Sequence, residues 1–275
     1  MFSDADFTLQ QVLIAFALTL FAGLSTGIGS SIAFFAKRTN TKFLSIALGF
    51  SAGVMIYLSF VEIFPKAKQV LSAEMGLHIG YLVTVLAFFT GMLVIAVIDR
   101  LVPAFENPHE VRRVERIRDR EAEKNKKLYR MGMMSAVAIA IHNFPEGLAT
   151  FLAALQDIRL GLPIAIAIAI HNIPEGIAIS VPIHHATGSR KKAFTYSFLS
   201  GLAEPLGALV GFFILLPFMN DAVFGFLFAS VAGIMVFISI DNLLPAAREY
   251  GEPHLALYGL TGGMAVMALS LVFFL

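Results

Sequence analysis

Eight apolar stretches divide the chain, at about 8–36, 43–64, 78–98, 131–155, 161–183, 193–218, 222–244 and 256–275. Each is about 20 residues or more, the length at which a helix crosses a hydrocarbon layer of ~30 Å. Lipid offers no hydrogen bonds to an exposed backbone, so a spanning segment must satisfy its own N–H and C=O groups as a helix. The pattern predicts an all-α membrane protein with eight transmembrane helices, residues 1–275 forming one domain embedded in a lipid bilayer. With 57% hydrophobic residues among 275, the composition departs from that of soluble domains in the same direction.

Charge gives the orientation. All but Lys66, Lys68 and Arg159 of the 20 Lys and Arg residues fall in the first, third, fifth and seventh loops. The positive-inside rule then places those loops in the cytoplasm and both termini outside. Asp4 and Asp6 stand where a cleavable signal peptide would carry basic residues, so the first span is expected to persist. The net charge of +1 leaves nothing to ask for nucleic acid, and the absence of cysteine excludes disulfides, thiolate zinc sites and iron–sulfur clusters. The one long polar stretch, 103–130 within a loop at about 100–130, alternates in sign, with a weak helical face at Val111, Val114 and Ile117. It reads as a solvated cytoplasmic linker, with lipid-headgroup contact or regulation as the alternative.

Two repeats organise the spans. Ala52-Gly53-Val54-Met55-Ile56-Tyr57-Leu58-Ser59 returns as Ala232-Gly233-Ile234-Met235-Val236-Phe237-Ile238-Ser239, an offset of 180 residues, and each copy is followed by a proline, Pro65 or Pro245. Gly23, Leu24 and Gly29 return at an offset of 178 as Gly201, Leu202 and Gly207. Spans 1–3 thus resemble spans 6–8, and the odd number of crossings between equivalents inverts one set against the other. The second repeat is sharper. His142-Asn143-Phe144-Pro145-Glu146-Gly147 recurs as His171-Asn172-Ile173-Pro174-Glu175-Gly176, each copy preceded by Ala-Ile-Ala-Ile. An offset of 29 residues is consumed by one span and a short turn, so the copies lie on antiparallel neighbours. A 3+2+3 plan with inverted repeats is the pattern of secondary transporters with a site near the midplane. Glycines four apart (Gly23/Gly27, Gly49/Gly53, Gly207/Gly211, Gly259/Gly263) are expected to let helices pack closely.

The duplicated hexapeptide carries the chemistry. Ionisable groups are expensive inside a membrane and mark ion or proton paths. On a helix His142 and Glu146 share a face, about 6 Å apart along the axis, with Asn143 on a neighbouring line. Pro145 and Pro174 lack N–H groups and are expected to free the carbonyls of Ile141 and Ile170, kinking both helices beside the polar residues. Glu204, next to Pro205 in another apolar span, adds a carboxylate. His142, Glu146, His171 and Glu175 suit a borderline ion such as Zn²⁺. Asn143, Glu146, Asn172, Glu175 and Glu204 form an oxygen-rich set fit for Fe²⁺ or Mn²⁺, with Glu146 and Glu175 able to bridge two metals. Without thiolates, copper(I) is a poor fit.

Other polar residues carry weaker expectations. Glu62 lies near the outer end of span 2 as an outer-mouth or site ligand, and Asp241 and Asn242 occupy the matching end of span 7; hydrogen bonding to helix ends is the plain alternative. His184 and His185 follow span 5 on the cytoplasmic side and suit either an exiting metal or a solvated pair. His78, His109 and His254 stand alone.

Over nearly its whole length the chain resembles the ZIP (zinc/iron-regulated transporter-like) family, and within it the bacterial ZupT branch. The resemblance rests on Ser-Ala-Gly-Val-Met at 51–55, both HNxPEG copies, Ala-Thr-Gly-Ser-Arg-Lys-Lys at 186–192 and Ser-Gly-Leu-Ala-Glu-Pro at 200–205. It implies uptake of divalent metal into the cytoplasm, zinc first and iron or manganese also accepted, across the bacterial inner membrane. It further implies a binuclear site: His142, Asn143 and Glu146 from helix 4, His171, Asn172 and Glu175 from helix 5, and Glu204 from helix 6. A helix 2 ligand, for which Glu62 is the candidate, completes the first site in that family. The third loop departs from the His-rich loop of many members, holding only His109. No prosthetic group is expected, the metal being cargo, and a homodimer is compatible with the sequence. Two rival readings are an intramembrane metallohydrolase and a non-transporting metal sensor. The first lacks the HExxH pattern and a carboxylate free to act as general base.

Overall fold

The computed structural model describes residues 7–33, 41–101, 120–250 and 253–273, and every element in them is helical. Eight helices are long and apolar enough to cross a membrane. They are α1 (Leu9–Ala33), α2 (Thr41–Leu58, continuing to Met75), α3 (Leu77–Leu101), α4 (Arg120–Gln156), α5 (Ile158–Thr187), α6 (Arg190–Gly201, continuing to Phe218), α7 (Asp221–Ile238, continuing to Tyr250) and α8 (Pro253–Phe273).

Three boundaries differ from the sequence expectation. The expected ends of α2 and α7 lie just before Pro65 and Pro245, yet both helices run on. A π turn, Ser59–Ile63 in α2 and Ser239–Leu243 in α7, precedes each proline. The proline then falls in the first turn of the next helical segment, where its missing N–H removes little. In both turns a serine hydroxyl donates back one turn, Ser59 to the Met55 carbonyl and Ser239 to the Met235 carbonyl, each at 2.7 Å. Helix α4 begins at Arg120, well inside the expected loop, because the Glu, Lys and Arg residues there are good helix formers. The rest of that loop, with Val111, Val114, Ile117 and His109, lies outside the described residues, as do Asp4 and Asp6.

Connections are tight and chemically marked. Gly76, at φ 81°, joins α2 to α3, a conformation that favours glycine. Asp157 alone separates α4 from α5, and its carboxylate caps α5 by accepting from the Arg159 N–H at 2.9 Å. Gly188 closes α5 in the left-handed region, and Ser189 caps α6 by accepting from the Lys192 N–H at 3.3 Å.

Helices α4 and α5 form the buried centre, whereas α3 and α8 present mostly exposed apolar faces such as Leu82, Leu86, Phe89 and Leu93, suited to lipid. Helix α1 packs on α5 and α6, and α6 packs on α4; α2 packs along α8 and α3 along α7. Glycines set the closest approaches. A Cβ at Gly29 would collide with the Ile173 carbonyl on α5, and one at Gly207 with the Phe144 carbonyl on α4. Gly53 lies against the Leu260 carbonyl of α8 and Gly233 against the Phe88 carbonyl of α3. No side chain can be inserted at such a crossing without moving a helix. Gly29→Val is therefore expected to destabilise the protein by about 1–3 kcal/mol, the usual range for overpacking. By contrast Gly262→Ala, whose Cβ meets open space, should gain about 0.5–1 kcal/mol of helix propensity. Thermal unfolding of both variants in detergent checks the opposite signs.

Candidate metal centre

Both hexapeptides lie within continuous helix, Pro145 inside α4 and Pro174 inside α5. Neither proline ends its helix, and each leaves one carbonyl, of Ile141 or Ile170, without its helical donor. The antiparallel hairpin brings the two copies face to face and pairs them crosswise. His142 Nε2 lies 3.3 Å from Glu175 Oε2, and His171 Nε2 lies 3.3 Å from Glu146 Oε2. All four side chains are buried.

The terminal glycine of each hexapeptide admits a third and a fourth helix. A Cβ at Gly147 would strike the backbone of Glu204 on α6, and one at Gly176 would strike the backbone of Thr26 on α1. This approach carries Glu204 into the centre, fully buried, where Asn172 Nδ2 donates to its Oε1. The same amide donates to the Ala22 carbonyl of α1 at 2.8 Å. Its counterpart, Asn143 Nδ2, donates to the Ser200 carbonyl of α6 at 3.4 Å. The two amides thus bind opposite outer helices in the same way.

In the sequence Ser51 of α2 stands only as the first residue of the 51–55 stretch and carries no site role. Its hydroxyl donates to Glu175 Oε1 at 3.3 Å and approaches the His171 carbonyl at 3.4 Å. A lone serine in an apolar helix gave no signal of its own, and the repeat places Val231 at the equivalent position. Glu62 lies eleven residues further along α2, about 16 Å along a helix axis, in the partly exposed π turn. Asp241 and Asn242 occupy the corresponding π turn of α7. His184 and His185 lie near the end of α5 with ring centroids 6.3 Å apart, and the His254 ring stacks on Tyr258. His78 lies exposed in the first turn of α3.

Several buried atoms of the centre have no hydrogen-bond partner among the described residues: His142 Nδ1, Asn143 Oδ1, Asn172 Oδ1, Glu146 Oε1 and Glu204 Oε2. Buried polar groups are ordinarily paired, so a cluster of unpaired acceptors around three carboxylates is a place that favours a cation. The side chains stand in pairs; no three His, Asp or Glu among the described residues are gathered at metal-ligand spacing. A metal would therefore have to part the crosswise His–Glu contacts, drawing nitrogen from one helix and oxygen from the other.

Comparison with known proteins bears on the whole chain. The profile of the ZIP zinc transporter family matches residues 104–271. The zinc transporter ZupT of Streptococcus mutans serotype c is 63% identical over 266 residues, covering 97% of this chain and 99% of the relative. The zinc transporter ZupT of Lysinibacillus sphaericus is 64% identical over 263 residues, covering 95% and 98%. That of Oceanobacillus iheyensis is 63% identical over 265 residues, covering 96% and 99%. With its eight apolar helices and 63–64% identity to these relatives over nearly its whole length, the chain belongs to the ZIP family, a family of zinc transporters and not of enzymes.

Proposed function

We propose that this protein takes up zinc into the cytoplasm across the bacterial inner membrane, with both termini outside, and that it also accepts iron and manganese. The carrying observation is the pair of buried, crosswise His–Glu contacts between two antiparallel copies of one motif, with unpaired acceptors around them. His142, Glu146, His171 and Glu175 bind the borderline ion, while Asn143, Asn172 and Glu204 join the two glutamates in a second, oxygen-rich position; Glu146 and Glu175 bridge the two. Ser51, through its hydrogen bond to Glu175, is a second α2 residue tied to the first position, with Glu62 further along α2 as the outer-mouth candidate.

Zinc arrives partly stripped of water and must be repaid for it by nitrogen and carboxylate ligands. Parting His142 from Glu175 and His171 from Glu146 exchanges two weak buried contacts for four metal bonds. Three neighbouring carboxylates repel one another without a cation, so they bind protons or metal in competition.

The inverted 3+2+3 plan is supported by contacts that recur under one exchange of helices, α1 for α6 and α4 for α5. Gly29 on Ile173 matches Gly207 on Phe144, Gly176 on Thr26 matches Gly147 on Glu204, and Asn172 on Ala22 matches Asn143 on Ser200. These glycine crossings lock α1 and α6 to the central hairpin. A shift that opens the site to the other side must then slide the unit α1, α4, α5 and α6 along α2, α3, α7 and α8. Ser51, hydrogen-bonded to Glu175, lies on that boundary.

Glu175→Ala should lower zinc flux into proteoliposomes by more than about tenfold while the protein stays folded, since a ligand to both positions is lost. Full flux in that variant would sink the site assignment, and no inward flux in the unaltered protein would favour the sensor reading instead. Protons compete for imidazole and carboxylate, so uptake should fall as the outside is acidified from neutral; equal rates at both pH values would remove the competition. Competition uptake with iron and manganese tests the wider substrate range. The chain has no cysteine, which makes orientation directly testable. Thr8→Cys should react with a membrane-impermeant maleimide in intact cells, and Lys191→Cys only after permeabilisation.

A further inference from the structure

The exchange of helices that relates the two halves places Thr26 of α1 opposite Glu204 of α6, an offset of 178 residues. Both residues are fully buried, and both have their backbone pressed against the glycine of a hexapeptide. Glu204 reaches the amide of Asn172. Thr26 is two atoms shorter and reaches nothing: its hydroxyl has no hydrogen-bond partner among the described residues.

That is unusual for this helix. Every other serine and threonine within α1 donates to the carbonyl one turn back: Thr19 to Ala15, Ser25 to Phe21, Ser30 to Thr26 and Ser31 to Gly27, at 3.0–3.1 Å. A buried hydroxyl forgoes that bond only at a cost of about 1–3 kcal/mol. The carbonyl Thr26 would use, that of Ala22, is taken by Asn172 Nδ2. The hydroxyl instead faces α6 at Gly201, where a Cβ would lie 3.0 Å from it. Gly201 adjoins Ser200, whose carbonyl anchors Asn143, and Asn143 Oδ1 is itself unpaired. The Thr26 hydroxyl thus stands unsatisfied on α1 where its counterpart on α6 is the Glu204 carboxyl, and a second unsatisfied oxygen, that of Asn143, belongs to a side chain held to α6 through Ser200.

We propose that the Thr26 hydroxyl is a neutral oxygen way-point for the transported divalent cation on its path to the oxygen-rich position that Asn143 and Glu204 share, the counterpart on α1 of Glu204 on α6. This rests on the transport reading above. The two-fold frame offers two equivalent places, one with the carboxyl group of Glu204 and the other with the hydroxyl of Thr26. An ion held by Glu204 is held tightly, while Thr26 gives it one oxygen without trapping it. A hydroxyl is a neutral donor to a cation and a hydrogen-bond donor to none of the groups now around it, which suits intermittent occupancy.

Zinc uptake by purified protein in proteoliposomes, measured as KM and maximal rate, tests this with variants that separate oxygen from shape. Thr26→Val keeps the branched shape and removes the oxygen; it should raise the KM about 3- to 10-fold, the worth of one polar contact. Thr26→Ser restores the hydroxyl and should recover the wild-type KM. Should Thr26→Val fail to fold by thermal unfolding, Thr26→Ala removes the oxygen without adding bulk and should show the same rise. A wild-type KM in the folded Val or Ala variant would overturn the way-point, as would a serine variant impaired as much as they are. Absence of zinc flux in the unaltered protein would instead overturn the transport reading on which the way-point stands.

Discussion

Three carboxylates buried among apolar helices are the constraint around which the rest is arranged. Charge without compensation does not persist inside a membrane, so Glu146, Glu175 and Glu204 each hold a partner across a helix boundary: His171, His142 and Asn172. Those partners come from the other hexapeptide or from α5, and none comes from the carboxylate's own helix. The polar centre is therefore an interhelical structure. It exists only if α4, α5 and α6 stay in register, which the glycine crossings enforce by bringing backbones into direct contact.

The glycine that ends each hexapeptide thus has a different task from the five residues before it. Histidine, asparagine and glutamate face the centre; glycine faces outward and lets the next helix in. At Gly147 that helix delivers Glu204, and at Gly176 it delivers Thr26. The same packing device, used twice, presents a carboxyl group on one side and a hydroxyl on the other. Symmetry in the backbone and asymmetry in the side chains coexist because the crossing depends only on the absence of a Cβ. The same holds at Ser51 and its counterpart Val231, where one half of the frame touches Glu175 and the other offers no polar group.

Much of this was legible in the sequence because membrane helices leave few ambiguities. Span length, loop charge and a hexapeptide written twice sufficed to predict eight helices and to nominate the residues that the fold gathers at its centre. Glu204 was legible as a carboxylate beside a proline in apolar surroundings. Ser51 and Thr26 were not, because a single hydroxyl in a membrane helix ordinarily bonds to its own backbone, as Thr19 and Ser25 do. Whether it does so is decided by neighbours from distant sequence. The run-on of α2 and α7 past Pro65 and Pro245 escaped notice for a related reason. Proline signals a helix end when only the i→i−4 pattern is considered, and a π turn supplies a different pattern that composition does not reveal.

The single-residue joint at Asp157 has a consequence for how the two hexapeptides can move against each other. One residue spans at most about 3.6 Å, too little for α4 and α5 to slide past each other by even one helical turn. The two copies of the hexapeptide therefore keep their register along the helix axes, and the crosswise pairs His142–Glu175 and His171–Glu146 can be parted by pivoting at Asp157 and not by sliding.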